Sequence, residues 1–236
     1  MKKIIILSIF IFLFIGKNAY SQRERLINLP NKDKKTWNFG YYLGIMNTDY
    51  LIEYKESLYS DTKIVVDGGY GFKIGVIGEL RFNKNLSLRF EPGLASNVKT
   101  LYFNNRALVN KTDSVRKVPS TFMHLPLMFK FSTDRLNNIR PFVIGGLAYD
   151  YNFSSNEKNP SDNLEGEFRL KKNNFMYEVG IGMDFYLPYF KFSPSLVGVF
   201  SINNELVPDN IDETSPYTGP IENLATRGVF LKLVFD

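Results

Sequence analysis

The sequence predicts an all-β fold: an eight-stranded antiparallel transmembrane β-barrel with short periplasmic turns and long extracellular loops. Eight segments alternate apolar side chains with small or charged ones, and the connections between them are alternately long and short. Aromatic residues also make up 15% of the chain, while its mean hydropathy is only −0.17. This average is too polar for a membrane protein built from helices, but it suits a barrel wall with one apolar face.

Residues 1–21 are predicted to be a cleaved signal peptide. Two lysines precede an apolar stretch over residues 4–16, and Ala19 and Ser21 supply small residues for cleavage before residue 22. As a helix the apolar stretch would span only about 20 Å, short of the roughly 30 Å hydrocarbon core, so a membrane anchor is the weaker alternative. Cleavage removes three lysines and lowers the net charge from +5 to +2, which leaves little support for a nucleic-acid partner.

The composition excludes several kinds of functional site. Without cysteine the chain cannot form disulfides, thiolate metal sites, a cysteine nucleophile or a lipoprotein anchor. Its single histidine cannot build a multi-histidine metal site. We therefore expect no enzyme activity, no cofactor and no metal, and no small-molecule substrate is evident.

The strands follow from a period of two in hydrophobicity. In the first segment Trp37, Phe39 and Tyr41 share one face, and Asn38 and Gly40 share the other. Across the strands one face is crowded with Phe, Leu and Tyr, whereas the other is mostly Gly, Ser and charge, as expected for lipid outside and a filled polar lumen inside. A soluble, aromatic-rich sandwich is the alternative. The predicted strands cover residues 37–45, 70–82, 86–94, 123–131, 140–153, 175–187, 190–202 and 228–235.

The lengths of the connections predict which end of the barrel faces the periplasm and which faces the outside. They are roughly 23, 3, 25, 7, 20, 2 and 24 residues long, and outer-membrane barrels have short turns on the periplasmic side and long loops outside. Both termini then lie at the short-turn end, so residues 22–36 are predicted to be a periplasmic leader and residues 37–236 the barrel domain. The strand-like segments 51–59 and 98–103 would extend the barrel outward. Interfacial aromatic girdles are expected from Trp37, Tyr70, Tyr149, Tyr151 and Tyr186.

Four inward-facing charged residues form the candidate site in the lumen. Glu79 and Arg81 face inward on one strand, and Arg89 and Glu91 face inward on its hairpin partner, so cross-strand ion pairs are expected. Charges in a narrow lumen must be paired or hydrated. These pairs favour a structural network that fills the interior, and a proton or ion path is the less favoured alternative.

Two other segments carry weaker chemical signals. His124 is the one conventional imidazole base, but no serine motif of the strand-turn-helix type accompanies it, so catalysis is not expected. The acidic segment 209–213 could attract a calcium ion, but it lacks the glycine and spacing of an EF-hand loop. A solvated acidic loop is the preferred interpretation.

Several strand sequences resemble known outer-membrane β-barrels. The segment 121–131, with its Pro-Leu-x-x-Lys core, and the segments 140–149 and 175–185 are similar to strands of the bacterial outer-membrane β-barrel families related to PorT. The leader segment 28–33, Asn-Leu-Pro-Asn-Lys-Asp, followed by the first strand from Trp37, resembles the PorT family itself.

The resemblance implies a non-enzymatic role in protein export. PorT-family barrels are outer-membrane components of the type IX secretion system, which exports cargo proteins and supports gliding. The expected partners are outer-membrane lipid and other components of that system, with Leu29, Pro30 and Asn31 of the leader as the suspected contact residues. The alternative is a generic small barrel that serves adhesion or surface binding through its long loops.

Overall fold

The computed structural model describes residues 26–55, 63–104, 114–159, 167–209 and 215–236. One 3-10 turn, Lys32–Lys34, precedes ten strands. In the described ranges no helix is long and apolar enough to cross a membrane. The strands are β1 (Trp37–Tyr54), β2 (Lys63–Asp67), β3 (Gly69–Arg81), β4 (Leu86–Phe90), β5 (Gly93–Asn104), β6 (Val115–Ser132), β7 (Ile139–Asn152), β8 (Asn173–Tyr186), β9 (Lys191–Ser201) and β10 (Ile221–Phe235).

The strands close into a ring of eight, which confirms the predicted fold class. β1 pairs antiparallel with β10 on one side and with β3 on the other, so the sheet has no free edge at this seam. β2 and β3 form one wall strand interrupted at Gly68, and β4 and β5 form another interrupted at Glu91 and Pro92. Pro92 has no N–H to donate to the ladder, which accounts for the second interruption.

The predicted strands are present, but several are longer than expected at the long-loop end. β1 continues to Tyr54 instead of ending at Ile45, and β6 begins at Val115 instead of Met123. The strand character expected for 98–103 is confirmed in β5, whereas that for 51–59 is confirmed as far as Tyr54, and residues 56–59 lie outside the described ranges. The alternation in burial continues through these extensions, but its polarity is partly reversed: Tyr50 and Val118 are buried inside, whereas Asn47 and Lys117 are exposed outside.

Side chains of the wall alternate between an exposed apolar face and a buried lumen. Phe39 and Tyr70 are 71% and 77% exposed, and Trp37 also lies on the outer face. The prediction for one girdle residue is wrong, because Tyr186 is 1% exposed and faces the lumen. Its hydroxyl donates a 2.7 Å hydrogen bond to Asp33 Oδ1. The position at a strand end was the reason for expecting a girdle, but the alternation along β8 turns this side chain inward.

Adjacent glycines in β7 differ in the space around them. A Cβ added at Gly146 would collide with the Leu127 carbonyl oxygen and lie 2.8 Å from Met128 Cα, whereas at Gly145 the nearest atom would be 3.7 Å away. We expect Gly146→Ala to destabilise the barrel by about 1–3 kcal/mol, as overpacking does, and Gly145→Ala to have little effect. Urea unfolding in vesicles measures both free energies of unfolding. Equal values for the two variants would contradict the close approach of β6 and β7.

Candidate functional site

The four predicted lumen residues lie together at the short-turn end of the barrel. Glu79 and Arg89 are opposite each other in the register of β3 and β4, and Arg89 Nε donates a 2.7 Å hydrogen bond to Glu79 Oε2. Arg89 Nη1 lies 3.5 Å from Glu91 Oε1, and Arg81 Nη2 lies 3.8 Å from Glu79 Oε1. Glu79, Arg89 and Glu91 are almost completely buried.

Charged residues of the other strands extend this cluster around the lumen. Lys232 of β10 donates to Glu91 Oε2. Lys130 Nζ lies 2.8 and 2.6 Å from the two carboxylate oxygens of Asp184, which also accepts a 2.6 Å hydrogen bond from Ser193 Oγ. Because each of these charges is buried, its partner compensates for the water it has lost. We call these residues, together with the four predicted ones, the lumen network.

His124 is buried in the middle of the lumen between two carboxylates. Its Nδ1 bonds Asp150 Oδ1, and its Nε2 lies 2.7 Å from Glu178 Oε1. Both ring nitrogens therefore face carboxylate oxygens, and neither faces a serine hydroxyl among the described residues. The geometry is that of a charge-pairing residue within the barrel.

The long-loop end of the lumen holds a large apolar cluster, which the alternation in the sequence did not predict, together with a few buried charged residues such as Lys99, Arg116 and Arg169. Residues from the loops pack against inward side chains of the strand extensions, and the rings of Phe103 and Tyr217 meet edge to face at 5.3 Å. Between this apolar cluster and His124, the space near Lys99 and Glu205 is a cavity of about 30 Å³, room for about one or two water molecules. The cluster comprises Tyr50, Ile64, Leu101, Phe103, Val118, Phe168, Leu170, Leu206, Tyr217, Ile221 and Leu224.

The leader packs against the short-turn end. Asn28 donates from its backbone N to Asn138 Oδ1 at 2.9 Å and from its side chain to the Tyr186 carbonyl oxygen at 2.9 Å. Arg135, in the turn between β6 and β7, donates to the Asn28 carbonyl oxygen. The leader is therefore attached to two turns of the barrel by its backbone and by one amide side chain.

Asp33 anchors the leader, and sequence reasoning did not select it. Its Oδ1 lies 3.1 Å from Arg140 Nη1 and 3.3 Å from Arg81 Nη1, and its Oδ2 lies 3.4 Å from Arg135 Nη1. Tyr186 adds the hydroxyl bond described above. The arginines lie 48 to 107 positions away along the chain, so no local spacing in the sequence could reveal this site.

The suspected contact residues form a turn just before this anchor. Leu29 has a left-handed backbone with φ of 50°, which is uncommon for a residue with a branched side chain, and its carbonyl oxygen accepts a 3.1 Å hydrogen bond from Lys32 N. Pro30 and Asn31 are exposed, whereas Leu29 is half-buried. The turn therefore presents Pro30 and Asn31 outward from the short-turn end.

The acidic segment 209–213 is described only at Asp209; the other four residues lie outside the described ranges. Asp209 Oδ1 lies 3.1 Å from Arg169 Nη2, and its Oδ2 accepts from Ser215 Oγ. The described residues include no cluster of three or more metal-ligating side chains. In the described part of this segment, the carboxylate is thus occupied by an arginine and a serine.

Comparison with known proteins identifies the family. The model of the family described as "Outer membrane protein beta-barrel domain" matches residues 20–207, most of the chain. The chain belongs to this family. This outer-membrane barrel accordingly has its wall in the lipid of a Gram-negative outer membrane, and the short-turn end faces the periplasm as in other such barrels. No curated protein sequence matches it significantly.

Solved structures with similar folds include three small outer-membrane proteins. Neisserial surface protein A has 10% sequence identity and a TM-score of 0.48, and the match covers 85% of this chain and 98% of that one. OprG from Pseudomonas aeruginosa has 14% identity and a TM-score of 0.45, covering 84% and 91%. Ail, the attachment invasion locus protein of Yersinia pestis, solved with the heparin analogue sucrose octasulfate, has 11% identity and a TM-score of 0.39, covering 85% and 99%.

The outer-membrane barrel should respond strongly to an unpaired lumen charge. Lys130→Met removes the lysine that pairs with the buried carboxylate of Asp184. Because that carboxylate stays buried, we expect a loss of about 3–5 kcal/mol in the free energy of unfolding. Adding Asp184→Leu removes the orphaned charge, so the double variant should recover most of that loss. Urea unfolding in vesicles measures both. A double variant no more stable than Lys130→Met would show that the pair is not the main interaction of these two residues.

Removing the anchor charge should release the leader. Asp33→Asn leaves three guanidinium groups facing a neutral amide, and we expect a loss of about 1–3 kcal/mol and several-fold faster trypsin cleavage after Lys34 and Lys35. Asp134→Asn, which changes an exposed carboxylate at the same end, is the matched control and should leave cleavage unchanged. Equal cleavage rates in all three proteins would contradict the anchoring role of Asp33.

Proposed function

We propose that this outer-membrane barrel is a non-enzymatic component of the type IX protein secretion system. It supports export of cargo proteins, and gliding, through protein–protein contacts at its periplasmic end. The observation that carries the proposal is the docked leader: Asp33 anchors it to three arginines, while Pro30 and Asn31 remain exposed. A segment held in one conformation loses less conformational entropy when a partner binds it, which favours recognition.

The filled lumen supports a contact role over a transport role. The lumen network occupies the periplasmic half, and the apolar cluster occupies the long-loop half. Between them the cavity of about 30 Å³ is far too small for a polypeptide. Cargo would therefore cross the membrane through another component, and this barrel would act by binding that component or organising it.

The segment that resembles the PorT family is also the segment that is anchored to the barrel. The resembling segment 28–33 contains both parts of the docked leader: Asn28 and Asp33, which bind the barrel, and the turn between them, which is presented to the periplasm. The resemblance therefore covers the exposed contact residues and also the residues that hold them in position.

Variants of the exposed turn test the proposal. In a deletion strain, wild-type protein should restore secretion of cargo, whereas a Pro30→Ser, Asn31→Ser double variant should restore several-fold less. Since both side chains are exposed, the barrel should still fold, which heat-modifiable migration on a gel verifies. The control replaces residues 105–113, the stretch of sequence between β5 and β6, with a Gly-Ser spacer and should secrete normally.

The same experiments also distinguish the secretion role from the adhesion alternative. An adhesin should tolerate the leader substitutions and lose cell or matrix binding when the long loop is replaced. Normal secretion in the deletion strain itself would refute a role in the secretion system. If the double variant shows the secretion defect, a cross-linker placed at residue 30 in intact cell envelopes, followed by mass spectrometry, would identify the partner.

A further inference from the structure

The ring of eight strands is closed toward the periplasm but opens between two strands at the long-loop end. The ladder between β1 and β3 ends at Thr48 and Gly69, yet β1 continues to Tyr54 with β10 as its partner. β2, which continues the wall strand of β3, pairs with β5 and stands at the end of the sheet order. In the described ranges β1 and β2 are therefore two facing strand edges with no ladder between them. We call the gap between residues 50–54 of β1 and the strand β2 the wall slot.

The edge of β1 turns backbone groups into the wall slot. Leu224 of β10 bonds through both its N–H and its C=O to the segment that follows β9. Its register partner on β1, Ile52, therefore turns its own N–H and C=O away from β10 and into the slot, as does Tyr50 two residues earlier. The N–H of Tyr50 donates to Asp49 Oδ1 at 2.7 Å, so a side chain takes the place of a strand partner.

The edge of β2 is covered by a side chain in the same way. The hydroxyl of Tyr54 donates to the Ile64 carbonyl oxygen at 3.2 Å and accepts from the Ile64 N–H at 3.1 Å. Val66, two residues further along β2, turns its backbone groups to the same side. Because a whole tyrosine side chain reaches across the slot, the two edges lie farther apart there than the roughly 4.8 Å between paired strands.

Apolar side chains line the wall slot on both sides of the sheet. Tyr50 and Ile64 point inward into the apolar cluster of the long-loop half. Leu51 and Val65 point outward and are 44% and 51% exposed. Successive residues of a strand in the slot would point alternately to these two sides. Apolar residues on such a strand would therefore be buried against those of β1 and β2.

Four charged side chains point outward from the two edges. Asp49, Glu53 and Asp67 are acidic, and Lys63 is basic. Arg227 of β10 lies beside the slot, with its Nη2 3.3 Å from Asp49 Oδ2. The carboxylates still outnumber the basic groups, which favours basic residues over acidic ones at the outward positions of a strand that binds here.

We propose that the wall slot binds an extended segment of another protein by β-strand addition, with apolar residues pointing inward and basic residues among those pointing outward. Backbone N–H and C=O groups at every second residue of both edges are complementary to an extended polypeptide. In the empty slot Asp49 and Tyr54 protect the edges, as native proteins protect exposed edges from indiscriminate pairing. The slot lies at the extracellular end, so it is separate from the leader and does not rest on the secretion role.

Peptide binding to the full chain in nanodiscs of zwitterionic phosphatidylcholine tests this assignment. The probe is a fluorescent seven-residue peptide of alternating valine and lysine, and its anisotropy measures the dissociation constant. We expect saturable binding above that of empty nanodiscs. The same peptide with N-methylated valines lacks the N–H donors for one edge and should bind about tenfold more weakly. Glutamate in place of lysine should also weaken binding several-fold.

Variants of the two edges locate the binding. Val66→Pro removes an N–H from the edge of β2 and should weaken binding about tenfold, whereas the matched control Val66→Ala keeps that N–H and should bind nearly as well as wild type. Tyr54→Phe removes the hydroxyl that occupies Ile64 and should tighten binding several-fold, a change that a loss of stability would not produce. If heat-modifiable migration shows that Val66→Pro does not fold, Ile52→Pro on the other edge replaces it.

Several results would overturn the proposal. They are no saturable binding above empty nanodiscs, equal binding of the N-methylated peptide, and equal affinities for wild type, Val66→Pro and Tyr54→Phe. Association of two barrels that Val66→Pro abolishes would make the occupant a second copy of this chain, contrary to the proposed peptide.

Discussion

The charged side chains that face the lumen lie where bulk water has no room, and the rest of the structure depends on pairing them. An eight-stranded ring leaves space only for side chains, so each buried charge requires a partner from another strand. Arg89 with Glu79, Lys232 with Glu91, and Lys130 with Asp184 supply such partners. These contacts join β3 to β4, β6 to β8, and β10 to the segment between β4 and β5, and they fill the periplasmic half of the barrel.

The same requirement explains why the leader belongs to the folded structure. Arg81 and Arg140 lie at the mouth of the lumen, and Arg81 also has Glu79 of its own strand 3.8 Å away. Asp33 of the leader provides a carboxylate to both arginines, and this attachment brings the Leu29–Asn31 turn to a defined position. The lumen network and the leader are thus one electrostatic unit, with its exposed part at the end of the barrel that faces the periplasm.

The periplasmic end and the lipid-facing surface of the barrel differ in what they can bind. The periplasmic end presents a short, anchored turn with polar and apolar atoms, suited to a protein. The lipid-facing surface is apolar, and Pro141 of β7 and Pro194 of β9 lie on it on either side of β8. Prolines within a sheet weaken its ladder, and here they also remove side-chain volume from the outer surface.

The alternation of side chains by itself determined the barrel, because a strand in lipid must present an apolar face outward and can place charge only inside. It also determined that Glu79, Arg81, Arg89 and Glu91 face one space, since a tight hairpin fixes their register. Only the tertiary structure decided that Asp33 joins them, that Tyr186 points inward and that an apolar cluster lies in the long-loop half. Those contacts unite residues far apart in the chain, and their geometry depends on ring closure, which no local pattern encodes.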